Sequence, residues 1–217
     1  MTMKNAQRLR GKNRDGEKRE FEQGRLEKYF FKILELINLR LPSEHRKVIS
    51  ITAAQEKAGT STFSRWLAIR LARIKGNKVL YVDGNIQKMG SQKNITSENL
   101  LGVLHGRSSI KSAVVTSGSG APDIMNSGSL GVHIAGELSE STINTIYDQM
   151  REQYDYVIVD TLPVDESPFG ILLSKSADGT FFVIESRKTD KVVAKRALDI
   201  LSGVGCNVIG VLLNKVE

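Results

Sequence analysis

The chain has 217 residues, of which 40% are hydrophobic and 25% are charged, a composition typical of one globular domain with a sizeable core. These values exclude a collagen-like or fully disordered chain, and no apolar run is long enough to span a bilayer. The formal net charge is +7, and Cys206 is the only cysteine, so we expect no intramolecular disulfide and a cytoplasmic location.

The positive charge is concentrated at the N-terminus. Residues 1–20 hold seven basic and three acidic residues, a net charge of +4. We interpret residues 1–20 as a basic flexible tail and residues 21–217 as one domain. Such a tail binds anionic lipid, nucleic acid or an acidic partner segment, or it remains a solvated arm without a partner.

The first predicted element is a helix over about residues 22–40. Its apolar residues recur at the spacing of one helix face, namely Leu26, Phe30, Ile33, Leu34 and Ile37. This face packs either on the sheet of its own domain or on a neighbouring subunit.

From residue 47 onward, short β-branched runs alternate with longer stretches of helical period. The predicted strands cover residues 47–52, 78–83, 131–135, 154–160, 180–185 and 207–213, and the predicted helices cover 61–75, 139–153 and 189–204. Residues 86–128 are rich in Ser, Gly and Asn, and there we expect irregular loops with one helical patch near 97–104. The alternation predicts an α/β fold with a mostly parallel central sheet and helices on both faces.

Residues 51–62, with the sequence ITAAQEKAGTST, join the first of these strands to a helix, which is where phosphate-binding loops occur. The strict pattern GxxxxGK[ST] would place Gly at 54 and 59, Lys at 60 and Ser or Thr at 61. This chain has Ala54, Gly59, Thr60 and Ser61, so the second glycine and the hydroxyl remain but the lysine is missing. On its own, the segment fits an ordinary strand–turn–helix connection equally well.

Three further segments make the loop more informative. They are VDGNIQ at residues 82–87, YDYVIVDTLPV at 154–164 and GVLLN at 210–214. Together with ITAA at 51–54, they resemble the segments IDADLR, YDYVIIDTPPV, GVVLN and ITSA of the bacterial tyrosine kinases that control capsular and exopolysaccharide synthesis. These kinases are a branch of the ParA/MinD-type deviant Walker A ATPases. The resemblance spans residues 22–214 and implies a ParA/MinD-like P-loop NTPase fold.

The resemblance also implies a nucleotide site. The phosphates of ATP or ADP would contact Gly59 and the backbone amides of Thr60, Ser61 and Thr62; Mg²⁺ would be held by Ser61, Asp83 and Asp160; and Asn214 would contact the base. If the altered loop has lost nucleotide binding, the protein has no cofactor at all.

Three positions depart from the family pattern, and each departure removes a charge. Thr60 replaces the phosphate-binding lysine, Asn85 replaces the second acid of the second strand, and Phe169 stands where an acid follows the DTPPV-like segment. No tyrosine follows Tyr156 in this sequence, so self-phosphorylation on a tyrosine-rich tail is not expected. Lys57 is the candidate for a relocated phosphate-binding cation.

The predicted N-terminal helix carries a charged pattern of its own. Glu22, Arg25 and Lys28 resemble the ExxRxxR motif through which the family assembles into rings, with Lys28 in place of the second arginine. The pattern therefore indicates either homo-oligomerisation or an ordinary solvated helix face.

These features favour a regulatory or scaffold protein of exopolysaccharide biosynthesis or export that lacks ATP turnover. Its expected partner is a transmembrane polysaccharide chain-length regulator or another protein of the same machinery, at the cytoplasmic face of the inner membrane, with the anionic membrane surface as a further contact. Two alternatives remain open: an active tyrosine kinase or ATPase that uses Lys57, and a ParA/MinD-like positioning ATPase. Nucleic acid is the less favoured partner.

Overall fold

The computed structural model describes residues 24–42, 46–85, 87–88, 98–130 and 138–215. The chain divides into two units between Leu39 and Arg40. The first unit contains helix α1, which occupies residues 24–40 and reaches the boundary with its last turn. This helix agrees with the predicted one over the residues that the structure describes. Within these ranges, no helix is both long enough and apolar enough to cross a bilayer.

The second unit alternates strands and helices in the predicted manner. Its elements are β1 (Lys47–Ala53), α2 (Thr60–Ala72), β2 (Val79–Gly84), β3 (Gln87–Lys88), α3 (Leu100–Leu104), α4 (Ile110–Ala113), β4 (Val114–Val115), β5 (Asp123–Met125), β6 (Ser129–Leu130), α5 (Glu140–Arg151), β7 (Tyr156–Thr161), α6 (Pro168–Lys175), β8 (Gly179–Glu185), α7 (Lys191–Gly203) and β9 (Val208–Asn214).

Among the described residues, seven strands form the main sheet in the order β4-β5-β2-β7-β1-β8-β9. Every neighbouring pair is parallel except β4 and β5, which run antiparallel. The predicted mostly parallel sheet is therefore confirmed. Because β1, β2, β7 and β8 are buried on both faces, they are nearly continuous apolar runs.

Helices cover both faces of this sheet. On one face, Val48, Val157 and Val159 pack in a core cluster with residues of α3, α5 and α6, and Phe182 packs with residues of α7. On the other face lies α2, whose Phe63 ring meets Phe181 edge-on at a centroid distance of 6.0 Å. The strand ends that carry polar residues are thereby held between two apolar layers.

Over residues 86–128, the predicted helical patch near 97–104 is confirmed by α3, but the expectation of irregular loops elsewhere was wrong for α4, β4 and β5. The segment from 98 to 125 contains α3, α4, β4 and β5, and its apolar side chains at Leu100, Leu104 and Ile110 are buried in the core. Asn99 caps α3 by accepting a hydrogen bond from the Gly102 N–H, and Ser109 caps α4. Helix α6 was also missed, and the predicted strand at 131–135 lies outside the described residues.

Candidate functional site

The phosphate-loop segment lies between the end of β1 and the start of α2, at the carboxyl edge of the sheet. Gly59 is the N-cap residue of α2 and has φ 101°, a left-handed conformation that is readily available to glycine. Thr60, Ser61 and Thr62 form the first turn of α2, where backbone N–H groups have no partner within the helix. The structure therefore brings the four predicted phosphate contacts together at one helix N-terminus, an arrangement that favours an anion.

The last strand holds this loop in place. Asn214, at the end of β9, donates its side-chain Nδ2–H to the Ala58 carbonyl oxygen over 2.9 Å. Its Oδ1 accepts the Lys215 backbone N–H, and a Cβ atom at Gly59 would overlap the Asn214 amide. The side chain thus acts as a clamp on the loop, while its expected contact with a nucleotide base stays a prediction.

Lys57 lies in the same loop but is exposed to solvent. Its φ is 63°, so this non-glycine residue adopts a left-handed backbone conformation. Glu56 precedes it, and the Glu166 carboxylate accepts the backbone N–H of Glu56. Burial, and then the charge of Glu56, raise the pKa of Glu166. Glu56, which is next to Lys57 in the chain, and Glu166, which contacts Glu56, therefore place two carboxylates near the loop, and these oppose the binding of a phosphate anion.

The two predicted metal-binding acids are adjacent in the structure. Asp83 in β2 and Asp160 in β7 are direct partners in the parallel register of these two strands. Asp160 is fully buried, whereas Asp83 is partly exposed. Parallel pairing thus brings these acids, which are far apart in the sequence, to the same edge of the sheet as the loop.

The Asp160 carboxylate is surrounded by uncharged hydrogen-bond donors. Asn85 donates its Nδ2–H to Asp160 Oδ2 over 2.6 Å, and Tyr81 donates its hydroxyl to the same oxygen over 3.2 Å. The Ser61 hydroxyl forms a further hydrogen bond with this carboxylate. Burial raises the pKa of Asp160 to about 6, with a further upward contribution from Asp83, while the three hydrogen bonds oppose this shift.

Tyr81 and Arg65 also belong to the site, although neither was predicted from the sequence. Arg65 donates its Nε–H to the Tyr81 hydroxyl oxygen over 3.4 Å, and its guanidinium lies 5.8 Å from the centre of the Tyr81 ring. Burial, followed by the charge of Asp160, raises the pKa of Tyr81, so its hydroxyl keeps its proton. Tyr81 precedes Asp83 by two residues and therefore shares its strand face, which was a signal available in the sequence.

The predicted departures from the family pattern have structural counterparts. Phe169 lies in the first turn of α6 and is buried in the core cluster that also includes residues of β7, so no charge is present at that position. Asn85 contributes an amide nitrogen between Asp160 Oδ2 and Ser61 Oγ, from which it lies 3.4 Å. Magnesium binds oxygen ligands, and the atom of Asn85 that faces Asp160 Oδ2 and Ser61 Oγ is a nitrogen. As it stands, position 85 offers no ligand to magnesium.

Two of the predicted oligomerisation residues lie in α1. Arg25 and Lys28 are exposed and are separated by three residues, so they share one side of the helix. Glu22 lies outside the described residues. The role of these three residues in assembly stays a prediction.

Comparison with known proteins agrees with this architecture. The model of a family described as "AAA domain" matches residues 46–182. The tyrosine-protein kinase YwqD of Bacillus subtilis is 32% identical over 171 residues, which cover 77% of this chain and 72% of that protein.

Two solved structures illustrate the likeness in three dimensions. The chimerical protein CapA2B2 superposes with a TM-score of 0.72 and 25% identity, over 87% of this chain and 84% of that one. The septum site-determining protein MinD of Pyrococcus horikoshii, complexed with Mg-ADP, gives a TM-score of 0.61 and 18% identity, over 79% and 72% of the two chains. The latter likeness shows a shared fold.

Proposed function

Because this chain belongs to the AAA-domain family of the bacterial tyrosine-protein kinases, we propose that it acts in exopolysaccharide biosynthesis or export as a regulatory or scaffold component without ATP turnover. The observation that carries this proposal is Thr60 at the N-terminus of α2, in the place of the lysine that bridges phosphates in the P-loop pattern. The fold and the loop are kept, while the charge needed for the chemistry is missing.

Phosphoryl transfer depends on positioning and on stabilisation of the charge that develops on the phosphate oxygens. Removing the phosphate-bridging cation commonly lowers the rate by roughly 10² to 10⁴. In this chain Glu56 and Glu166 place negative charge beside the same loop, which increases the deficit. Backbone N–H groups at Gly59 and in the first turn of α2 still offer contacts to a phosphate, so weak nucleotide binding is compatible with absent turnover.

The rest of the molecule supplies surfaces for partners rather than for chemistry. In the proposal, the basic residues 1–20 contact the anionic inner face of the membrane, and the domain binds a transmembrane regulator of polysaccharide chain length or another protein of that machinery. Arg25 and Lys28 on α1, together with Glu22, are the proposed contacts for assembly into a homo-oligomer. We therefore propose that the protein acts at the cytoplasmic face of the inner membrane.

The deciding experiment measures phosphate release from ATP with Mg²⁺ in excess over the nucleotide, using the purified full chain and the variant Asp160→Ala. We expect both proteins to release phosphate at the same background rate. Magnesium-dependent hydrolysis that disappears in Asp160→Ala would refute the proposal and establish an active ATPase.

The variant Lys57→Ala separates that alternative from contamination. If Lys57 serves as a relocated cation, its removal abolishes hydrolysis, whereas an unchanged rate excludes this role.

Introducing the lysine of the P-loop pattern with Thr60→Lys is expected to tighten ATP binding by roughly tenfold, since a charge-assisted contact to phosphate is gained. Gln149→Lys, which adds the same charge at an exposed position on α5, serves as the matched control.

A further inference from the structure

The polar cluster around Asp160 is complete without any added ion. The carboxylate is fully buried, yet it accepts hydrogen bonds from Asn85, Tyr81 and Ser61. A carboxylate has about four lone-pair sites, so three donors satisfy most of its capacity. A buried charge without partners would be costly, and here the protein itself supplies them.

Asn85 is the residue that completes the hydrogen bonding of the Asp160 carboxylate. Its Nδ2 lies 2.6 Å from Asp160 Oδ2 and 3.4 Å from Ser61 Oγ, and thus bridges the hydroxyl and the carboxylate. The opposite orientation of the amide would set two oxygens 2.6 Å apart, so the carboxylate fixes the nitrogen toward itself. An amide nitrogen donates hydrogens but offers no lone pair to a divalent cation. A water bound to such a cation would donate to the carboxylate in the same way.

The charge of the cluster is also partly offset from within. An aspartate at position 85 would add a third carboxylate to Asp83 and Asp160, and like charges at this distance oppose ionisation unless a cation intervenes. Asparagine leaves only two carboxylates. The Arg65 guanidinium lies next to Tyr81, whose hydrogen bond and charge, followed by the charges of Asp83 and Asp160, raise the pKa of Arg65. The protein itself thus supplies the hydrogen bond that a metal-bound water would provide and part of the counter-charge of a metal.

We propose that Asn85, supported by Tyr81 and Arg65, replaces the divalent cation at this site, and that Asn85→Asp alone converts the site into one that binds Mg²⁺ or Mn²⁺. This inference deepens the proposed function and rests on it only for the identity of the site. It predicts that any nucleotide held by the loop of this protein binds without a requirement for magnesium.

The test uses the full chain and the cations alone, without nucleotide or partner, so that its failure is distinct from a failure of the proposed function. Uptake of Mn²⁺ is measured from the decrease in the electron paramagnetic resonance signal of free Mn²⁺. Thermal unfolding is followed with and without about 10 mM Mg²⁺, a concentration above the dissociation constants of weak divalent-cation sites in proteins. We expect no uptake and an unchanged Tm for the natural chain. For Asn85→Asp we expect one Mn²⁺ per chain and a Tm rise of about 3 °C with Mg²⁺.

Asn126→Asp adds the same negative charge in an exposed loop and is expected to behave as the natural chain does. Sodium chloride at matched ionic strength controls for screening. If Asn85→Asp folds only when Mg²⁺ is present, the inference is supported. Uptake of Mn²⁺ by the natural chain with the affinity of Asn85→Asp overturns it, as does a folded Asn85→Asp that takes up none.

Discussion

At the residue scale, the protonation of Asp160 couples the site to stability. The pKa of this carboxyl is raised from 3.8 to about 6 in the folded protein, chiefly by burial. The folded state therefore binds more protons than the unfolded state between these values, so this residue's contribution to stability falls as pH rises from about 4 to 6. Above pH 6 the loss is complete, and it amounts to about 2–3 kcal/mol.

Asp160→Asn is expected to remove this pH dependence. In buffer with EDTA, the free energy of unfolding of the variant should gain about 2–3 kcal/mol relative to the natural chain between pH 4 and pH 7. Asp165→Asn removes one negative charge from an exposed acid outside the Asp160 cluster and serves as the control for the change in net charge. Denaturant unfolding at a series of pH values measures the difference, and parallel profiles for the natural chain and Asp160→Asn would contradict the assignment.

Gly59 is the residue on which the shape of the loop depends. Gly59→Ala places a Cβ at a left-handed φ and against the Asn214 amide, so we expect a loss of about 2–4 kcal/mol. Gly76 has nearly the same φ, 97°, but open space around it, so Gly76→Ala should lose only about 1 kcal/mol. Equal losses in the free energy of unfolding of the two variants would show that overlap with the Asn214 amide adds nothing to the cost at Gly59.

At the scale of elements, long apolar runs were predictable and short capped segments were not. The strands β1, β2, β7 and β8 were found because they are buried on both faces, which leaves continuous β-branched runs in the sequence. In contrast, α4, β4 and β5 have two to four residues each, too few to show a period. Their positions depend on partners elsewhere in the sheet. The start of α6, Ser167 followed by Pro168, was a readable N-terminal signal that was overlooked.

The same reasoning applies to the site. Gly59, Asp83 and Asp160 could be located because each ends a strand or begins a helix in a recognisable segment. The contact between Arg65 and Tyr81 depends on how α2 packs across β2, which no local pattern encodes. The clamp by Asn214 depends on the register of β9 at the edge of the sheet, and is likewise a tertiary feature.

The stability of α3 and of the segment that follows it should depend on the N-cap residue Asn99. Asn99 is nearly buried and accepts the Gly102 N–H at 2.9 Å, so Asn99→Ala leaves that donor without this partner beside the buried leucines of α3. We expect a loss of about 1–2 kcal/mol, or a fall in Tm of about 2–6 °C. Ser109→Ala, at the exposed cap of α4, should cost about half as much. Thermal unfolding followed by circular dichroism compares them, and a larger effect at Ser109 would contradict the ranking.

At the scale of the whole molecule, more than half of the net charge lies in the first 20 residues. Removing residues 1–20 deletes +4 of the net charge of +7 and leaves the predicted nucleotide-site residues in place. We expect the shortened chain to bind vesicles containing anionic phosphatidylglycerol at least about tenfold more weakly than the full chain. Cosedimentation in low salt measures this.

Vesicles of zwitterionic lipid are the control, and 0.5 M NaCl, about three times physiological strength, should abolish the difference by screening. Equal binding of the two chains to anionic vesicles would remove the tail from the proposed membrane contact. Salt-sensitive binding of the full chain to duplex DNA but not to vesicles would favour the positioning-ATPase alternative.

The Asn214 clamp joins the loop to β9, the outermost strand at one end of the sheet. Edge strands open to solvent more readily than central ones, so each opening of β9 also releases the loop, and the lifetime of the formed loop follows that of the strand. A phosphate or nucleotide that holds the loop should therefore slow amide hydrogen exchange in β9, including residues that it does not touch. Asn214→Ala should uncouple the loop from β9, so that the ligand no longer changes the rate of amide hydrogen exchange in β9. The end of the chain thus reports on the occupancy of a site formed near its beginning.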